Sequence, residues 1–141
     1  MRATATLAAA VMLAGAAAGT VAGGARTLPS FTPCPPVKPS VRPTTVVVAC
    51  GDGNFFLGGL RWSRWTGRSA FATGTAHAND CNPYCAAGRF HTYPASLQLT
   101  RPRTCAHGRR EFTRFTYRFL AAKPAAVPRA ATSPSGGTGC P

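Results

Sequence analysis

The sequence predicts an all-β fold: a small antiparallel β-sandwich or open barrel of five to six short strands, stapled by disulfides and flanked by disordered ends. Three observations carry this prediction. Apolar and polar residues alternate with a period of two through the middle of the chain, which sends one set inward and the other outward. Turn-forming residues punctuate those runs at short intervals. Six cysteines, an even count, read as a disulfide framework in an exported chain.

The elements follow in order. Met1-Arg2 is a short basic start, residues 3–22 are almost wholly apolar, and Ala22-Gly23-Gly24-Ala25 supplies a small-residue exit. This describes an export signal over residues 1–25, cleaved near Ala25. The rival, a retained membrane anchor, needs roughly 20 predominantly apolar residues. The run is long enough but Ala/Gly-rich and weakly hydrophobic, so no integral membrane association is expected after cleavage. Cys34, in Phe31-Thr32-Pro33-Cys34, lacks the small-residue context of a lipid-anchoring site.

Residues 26–43 contain Pro29, Pro33, Pro35, Pro36, Pro39 and Pro43, and read as an extended linker because proline fixes φ and removes a donor. The β-domain is expected over 44–120. Thr44-Thr45-Val46-Val47-Val48 is a β-branched run. Phe56, Leu60 and Trp62 fall on one parity, with Gly58 between them, and Trp65 falls on the other. Residues 69–77 are small and Thr-rich. Leu97 and Leu99 alternate with Ser96, Gln98 and Thr100; Phe115, Tyr117 and Phe119 alternate with Arg114, Thr116 and Arg118. Turns fall at Gly51-Asp52-Gly53-Asn54, Thr66-Gly67, Asn79 to Pro83, and Arg101-Pro102. No helix is expected beyond a single turn at Ala86-Ala87. Residues 121–141, built of Ala, Pro, Ser and Gly, read as a disordered tail that cannot bury enough surface to offset its ordering entropy.

Removing the signal from the 141 residues leaves one domain at most, with a foldable part small enough to need covalent staples. The formal net charge is +13, from 16 Lys and Arg against Asp52, Asp80 and Glu111. Such a balance suits a polyanion such as a cell-wall polymer, nucleic acid or anionic headgroups, and equally a soluble domain whose charge has no specific partner. Three carboxylates leave little stock for general acid–base catalysis, and no cofactor is implied.

Cys50, Cys81, Cys85 and Cys105 border the β runs and are expected to staple the core; Cys34 and Cys140 sit in the two ends and either pair with each other or stay free. Cys81-x-x-x-Cys85 with His91, Cys105 and His107 is loosely zinc-like, but Cys105-x-His107 does not match a usual second ligand pair, and an oxidising compartment favours disulfides. A hydrolytic set of a serine with His91 and Asp80 can be drawn, although Asp52 and Asp80 read more simply as turn formers.

The candidate binding surface is Arg61, Arg64, Trp65 and Arg68 together with Arg114 and Arg118, because Trp and Arg dominate binding hot spots and Arg stacks on aromatic faces. Arg114 and Arg118 should share the outer face of the last strand, where charge also protects an edge. The leading expectation is an exported, non-catalytic basic module that meets the cell envelope or another anionic extracellular partner. A small exported enzyme or inhibitor, and a structural domain without a ligand, are its alternatives.

Val48-Ala49-Cys50-Gly51-Asp52-Gly53-Asn54, Leu60-Arg61-Trp62-Ser63, Thr73-Gly74-Thr75-Ala76 and Asn79-Asp80-Cys81-Asn82-Pro83-Tyr84-Cys85-Ala86-Ala87-Gly88 resemble a group of small secreted actinobacterial proteins of unknown function. Tyr93-Pro94, the Leu97/Leu99 run and Phe112-Thr113-Arg114 extend the resemblance over roughly residues 45–120. It implies an exported β-domain, keeps counterparts of the first three core cysteines more readily than one of Cys105, and carries over no catalytic or binding residue.

Overall fold

A computed structural model describes residues 27–135 and residue 140; the expected export signal, residues 1–25, lies outside the described residues. The fold is all-β, a single sheet curled into an open half-barrel. Its body is an antiparallel meander of β3 (Phe55–Trp65), β4 (Ala70–Asn79), β5 (Phe90–Thr104) and β6 (Arg110–Phe119). These strands reach 10 to 15 residues, longer than the alternation alone suggests. One 3-10 turn, Ala106–Gly108, joins β5 to β6.

The proline-rich segment is not a spacer. Its β1 (Ser30–Phe31) pairs in parallel with β6, and β2 (Val46–Val47) pairs antiparallel with β3. One stretch of chain therefore crosses from one margin of the sheet to the other, as a strap across the concave side. Proline suits this course because a strap makes few ladder bonds and loses little by lacking N–H donors. Its carbonyls are met by side chains: the Trp65 indole Nε1 donates to Pro29 O (2.9 Å) and the Trp62 Nε1 to Pro43 O (2.8 Å). Phe31 and Val46, one from each end of the strap, are wholly buried in the core.

The core lies on the concave face. It joins those two residues to Leu57 and Leu60 of β3, Ala70, Ala72 and Ala76 of β4, Leu97 and Leu99 of β5, and Phe112, Phe115, Tyr117 and Phe119 of β6. The inward residues of β4 are alanines, with Gly74 among them, where a Cβ would stand 2.7 Å from Gly58 O and 3.1 Å from Leu60 Cδ2. Small residues on the middle strand let the aromatic residues of β6 and the strap fill the curl.

Two β-bulges correct the expected faces of β3. Gly58 pairs with Thr75 but Arg61 with Thr73, and Trp62 pairs with Ala72 but Arg64 with Phe71, so β3 carries one extra residue at each step. Gly59, at φ +59°, takes the conformation that such a bulge demands and glycine accepts without strain. Each extra residue exchanges inner and outer parity. Leu57 rather than Phe56 points inward, and Trp65 joins Leu60 and half-buried Trp62 on the core side instead of facing solvent. Trp65 is 6% exposed and packs edge-on against Phe112 (5.6 Å), so it leaves the candidate binding surface.

The ends also differ from expectation. The tail forms β7 (Ala130–Pro134), which pairs with β6 from Arg114 to Arg118. The Thr116 and Thr132 hydroxyls meet at 2.8 Å, and half-buried Val127 packs on the core. Backbone pairing and small hydroxyl residues secure this stretch although it carries little apolar bulk. Strand β6 is consequently covered along both sides, and its arginines protect no open edge.

All six cysteines are paired, but not as the four-plus-two division anticipates. The bridges are Cys34–Cys50, Cys81–Cys85 and Cys105–Cys140. Each end cysteine bonds to a partner beside the sheet, and Cys34 and Cys140 do not meet. The first bridge pins the strap, and the third pins the end of the chain beside β6.

Candidate functional site

The register of the meander decides which arginines meet. Arg61 lies opposite Thr73, Thr73 opposite Ser96, and Ser96 opposite Arg118. One step along, Arg64, Phe71, Gln98 and Thr116 form a second row, which Thr132 of β7 continues. Thr100 and Arg114 begin a third. All belong to the convex face, opposite the core, because Ala72, Leu97 and Tyr117 occupy the intervening inward row. Arg61 and Arg64 thus border the face on β3, and Arg114 and Arg118 border it on β6. Three strand spacings separate the two columns, about 14 Å at the backbone. Between them lie Phe71 and Thr73 of β4 and Ser96 and Gln98 of β5, a mostly polar floor.

Sequence reasoning selected the four arginines, and the structure brings them to one face. Arg68 stays exposed in the β3–β4 turn, beyond the rows. Gln98 faces outward as the Leu97/Leu99 alternation expects, whereas Thr73 joins the surface only through the strand register.

The three acidic side chains are all engaged elsewhere. Asp52 accepts the Asn54 N–H (3.0 Å), which holds its carboxyl below the usual range. Glu111, 1% exposed, accepts from the Thr32 hydroxyl (3.0 Å) and Arg109 Nη2 (3.1 Å), tying the strap to β6. Asp80 bonds His91 Nε2 at 2.9 Å and accepts the backbone N–H groups of Arg89 and Asn82. These bonds, with His91 first, hold Asp80 down to about 2. Among the described residues, Arg61, Arg64, Arg68, Arg114 and Arg118 have no carboxylate partner.

The Asp80–His91 pair borders a cleft of about 370 Å³, completed by Ala78, Asn79, Tyr93 and residues 124–127. Among the described residues no serine, threonine or cysteine lines it, so the drawn hydrolytic set finds no serine there. A carboxylate orienting an imidazole without a nucleophile does not make a triad. What Asp80 does is close the loop 80–91, which the Cys81–Cys85 bridge braces. That bridge also uses two of the three cysteines of the zinc-like inventory, and the third, Cys105, is bonded to Cys140. Glu111 does lie within 4.8 Å of the sulfurs of Cys105 and Cys140, but these are joined to each other and offer no thiolate.

Comparison of the chain with protein-family models, with characterised proteins and with solved structures finds no match. The three disulfides suit an oxidising compartment, and no helix among the described residues is long and apolar enough to cross a membrane.

Proposed function

We propose that this protein is an exported, non-catalytic module that binds a linear polyanion of the cell envelope or extracellular space through the convex face of its sheet. The supporting observation is the set of four arginines, Arg61, Arg64, Arg114 and Arg118, gathered on one face by strand register and without a carboxylate among the described residues. Guanidinium groups keep their charge at any physiological pH and offer forked donors that fit sulfate, phosphate and carboxylate groups. The floor between the columns adds hydroxyl and amide groups that hydrogen-bond a polymer backbone. Such binding needs no metal, cofactor or acid–base pair.

Affinity for a polyanion falls with salt as counter-ions are released, with a slope that counts the ionic contacts. The test is retention on immobilised heparin across a salt series, for the natural protein and for the variant R61A/R64A/R114A/R118A. A control, K38A/R42A/R89A/R103A, removes equal charge from exposed positions elsewhere. The face variant should lower the slope by about 3 to 4 and the control by clearly less. Equal slopes for the two variants would show that net charge, not this face, does the binding.

A further inference from the structure

The convex face also carries an aromatic cluster that the core does not use. Phe56 and His77 stand opposite each other in the β3–β4 register. Their rings are parallel to within 5°, with centroids 4.4 Å apart. Phe90 leans against Phe56 at 5.6 Å and remains 48% exposed. Beneath them is Gly58, where an added Cβ would stand 3.2 Å from His77 Nε2 and 3.6 Å from Phe56 Cε2. The missing side chain lets the rings settle close against the sheet. The cluster lies on the face opposite Leu57, so it contributes nothing to the interior, and a half-exposed Phe beside two stacked rings is apolar surface left in water.

Along β4, His77 is four residues from Thr73, the row that holds Arg61 and Arg118. The aromatic cluster therefore lies about 14 Å from the nearest arginine row, with Thr75 between them on the same face. We infer that the ligand is an acidic polysaccharide laid along β4, one sugar ring stacked on the Phe56/His77/Phe90 platform and its anionic groups, a few residues further on, held by Arg61 and Arg118. This deepens the polyanion reading and rests on it.

The chemistry favours a sugar at the platform. The C–H groups on one side of a pyranose ring carry slight positive charge and meet the negative face of an aromatic ring. Thr73, Thr75 and Gln98 offer donors and acceptors of the kind that sugar hydroxyls need. A bare phosphate polymer has nothing to stack. A single-stranded nucleic acid has bases to stack, but three disulfides suit an extracellular setting, where acidic glycans are among the polyanions a protein meets.

The experiment titrates the exported protein with heparin, with inorganic polyphosphate and with oligo-dT at one salt concentration, for the natural protein and for H77A/F90A. The variant should bind heparin about three- to tenfold more weakly and polyphosphate within about twofold of the natural protein. The same loss with Phe90→Leu, which keeps apolar bulk but not the ring, supports stacking if the double variant is unstable. Equal losses toward heparin and polyphosphate, or none toward heparin, would overturn the assignment. Oligo-dT binding more tightly than heparin, and losing as much in the variant, would also overturn it in favour of nucleobases. Failure of the natural protein to bind either heparin or polyphosphate would refute the polyanion reading itself, an outcome distinct from all of these.

Discussion

Truncating Phe31 to alanine separates a strap from a spacer. In a proline-rich linker this substitution would change stability by a few tenths of a kcal/mol, as surface substitutions do. In the structure Phe31 is 0% exposed and meets Phe115 edge-to-face at 5.8 Å and 73°. Burying such a side chain is worth about 1.5–3 kcal/mol, and the aromatic pair adds about 0.5–1.5 kcal/mol. The cavity left in a curl lined by Trp65, Phe112 and Phe115 collapses only in part, which brings the expected loss to about 3–5 kcal/mol. That is a large share of the stability of a domain this small. Urea unfolding followed by tryptophan fluorescence reads it directly, because Trp62 and Trp65 donate to the strap. The midpoint should fall while the slope with denaturant is unchanged. If F31A cannot be purified folded, Phe31→Leu should lose about 1 kcal/mol by the same measurement. A loss below about 0.5 kcal/mol for F31A would refute the strap.

The three bridges should stabilise in order of the chain they enclose. With sequence separations of 35, 16 and 4, loop entropy gives about 4 kcal/mol for Cys105–Cys140, about 3 for Cys34–Cys50 and about 2 for Cys81–Cys85. Paired Cys→Ser variants compared by urea unfolding check this, and a reversed order would show that strain or residual structure governs instead. Gly74→Ala should destabilise by about 1–3 kcal/mol, because its Cβ would meet the Gly58 backbone carbonyl at 2.7 Å; an unchanged midpoint would mean that β3 and β4 can part there at no cost. The Asp80 clamp has a definite pH window. Its folded pKa is depressed to about 2, so its stabilisation is complete above the unfolded value near 4 and is lost as pH falls through about 2. Protection of the Asn82 and Arg89 amides, which donate to Asp80, measured against the intrinsic exchange rate at each pH, should fall across that window, and loosening already complete at pH 5 would contradict the clamp.

Much of the meander was legible in the sequence because Leu97/Leu99 and Phe115/Tyr117/Phe119 keep strict alternation, and each of these residues is buried. The alternation misled on β3, where two bulges each exchange inside for outside. Gly58-Gly59 was the available signal, since an adjacent glycine pair inside an apolar run often marks a bulge. The ends were misread for a common reason. Their composition lacks apolar bulk, yet Phe31 anchors one end, β7 pairs the other, and disulfides hold both. At the candidate site, Arg114 and Arg118 could be chosen by type and parity, but Arg61 and Arg64 by type alone, since strict alternation sends Arg64 inward with Trp62 and only the second bulge brings it to the outer face. Their assembly could not, because Arg61 and Arg118 are 57 positions apart in sequence and share a row only through the register of four strands.

The fold itself argues for recognition on the outside. A half-barrel with an open interior would offer its concave side to a ligand, as larger barrels do. Here Phe31, Val46 and Trp65 join the aromatic residues of β6 in filling that side, and the strap crosses it. The convex face is then the broad surface left, and its arginines have no acid to satisfy them among the described residues. Arg61 and Arg118 stand about 14 Å apart, as do Arg114 and Arg118 along β6. Those spacings exceed the screening length of about 8 Å at physiological ionic strength, so the charges repel one another only weakly while the face is empty. A small domain can therefore carry them without losing its fold. A multivalent polymer can engage all of them at once, releasing counter-ions at each contact, whereas a small anion engages one corner at a time. On the proposed reading, the same spacing that makes the empty face tolerable would favour a polymeric ligand over a small one.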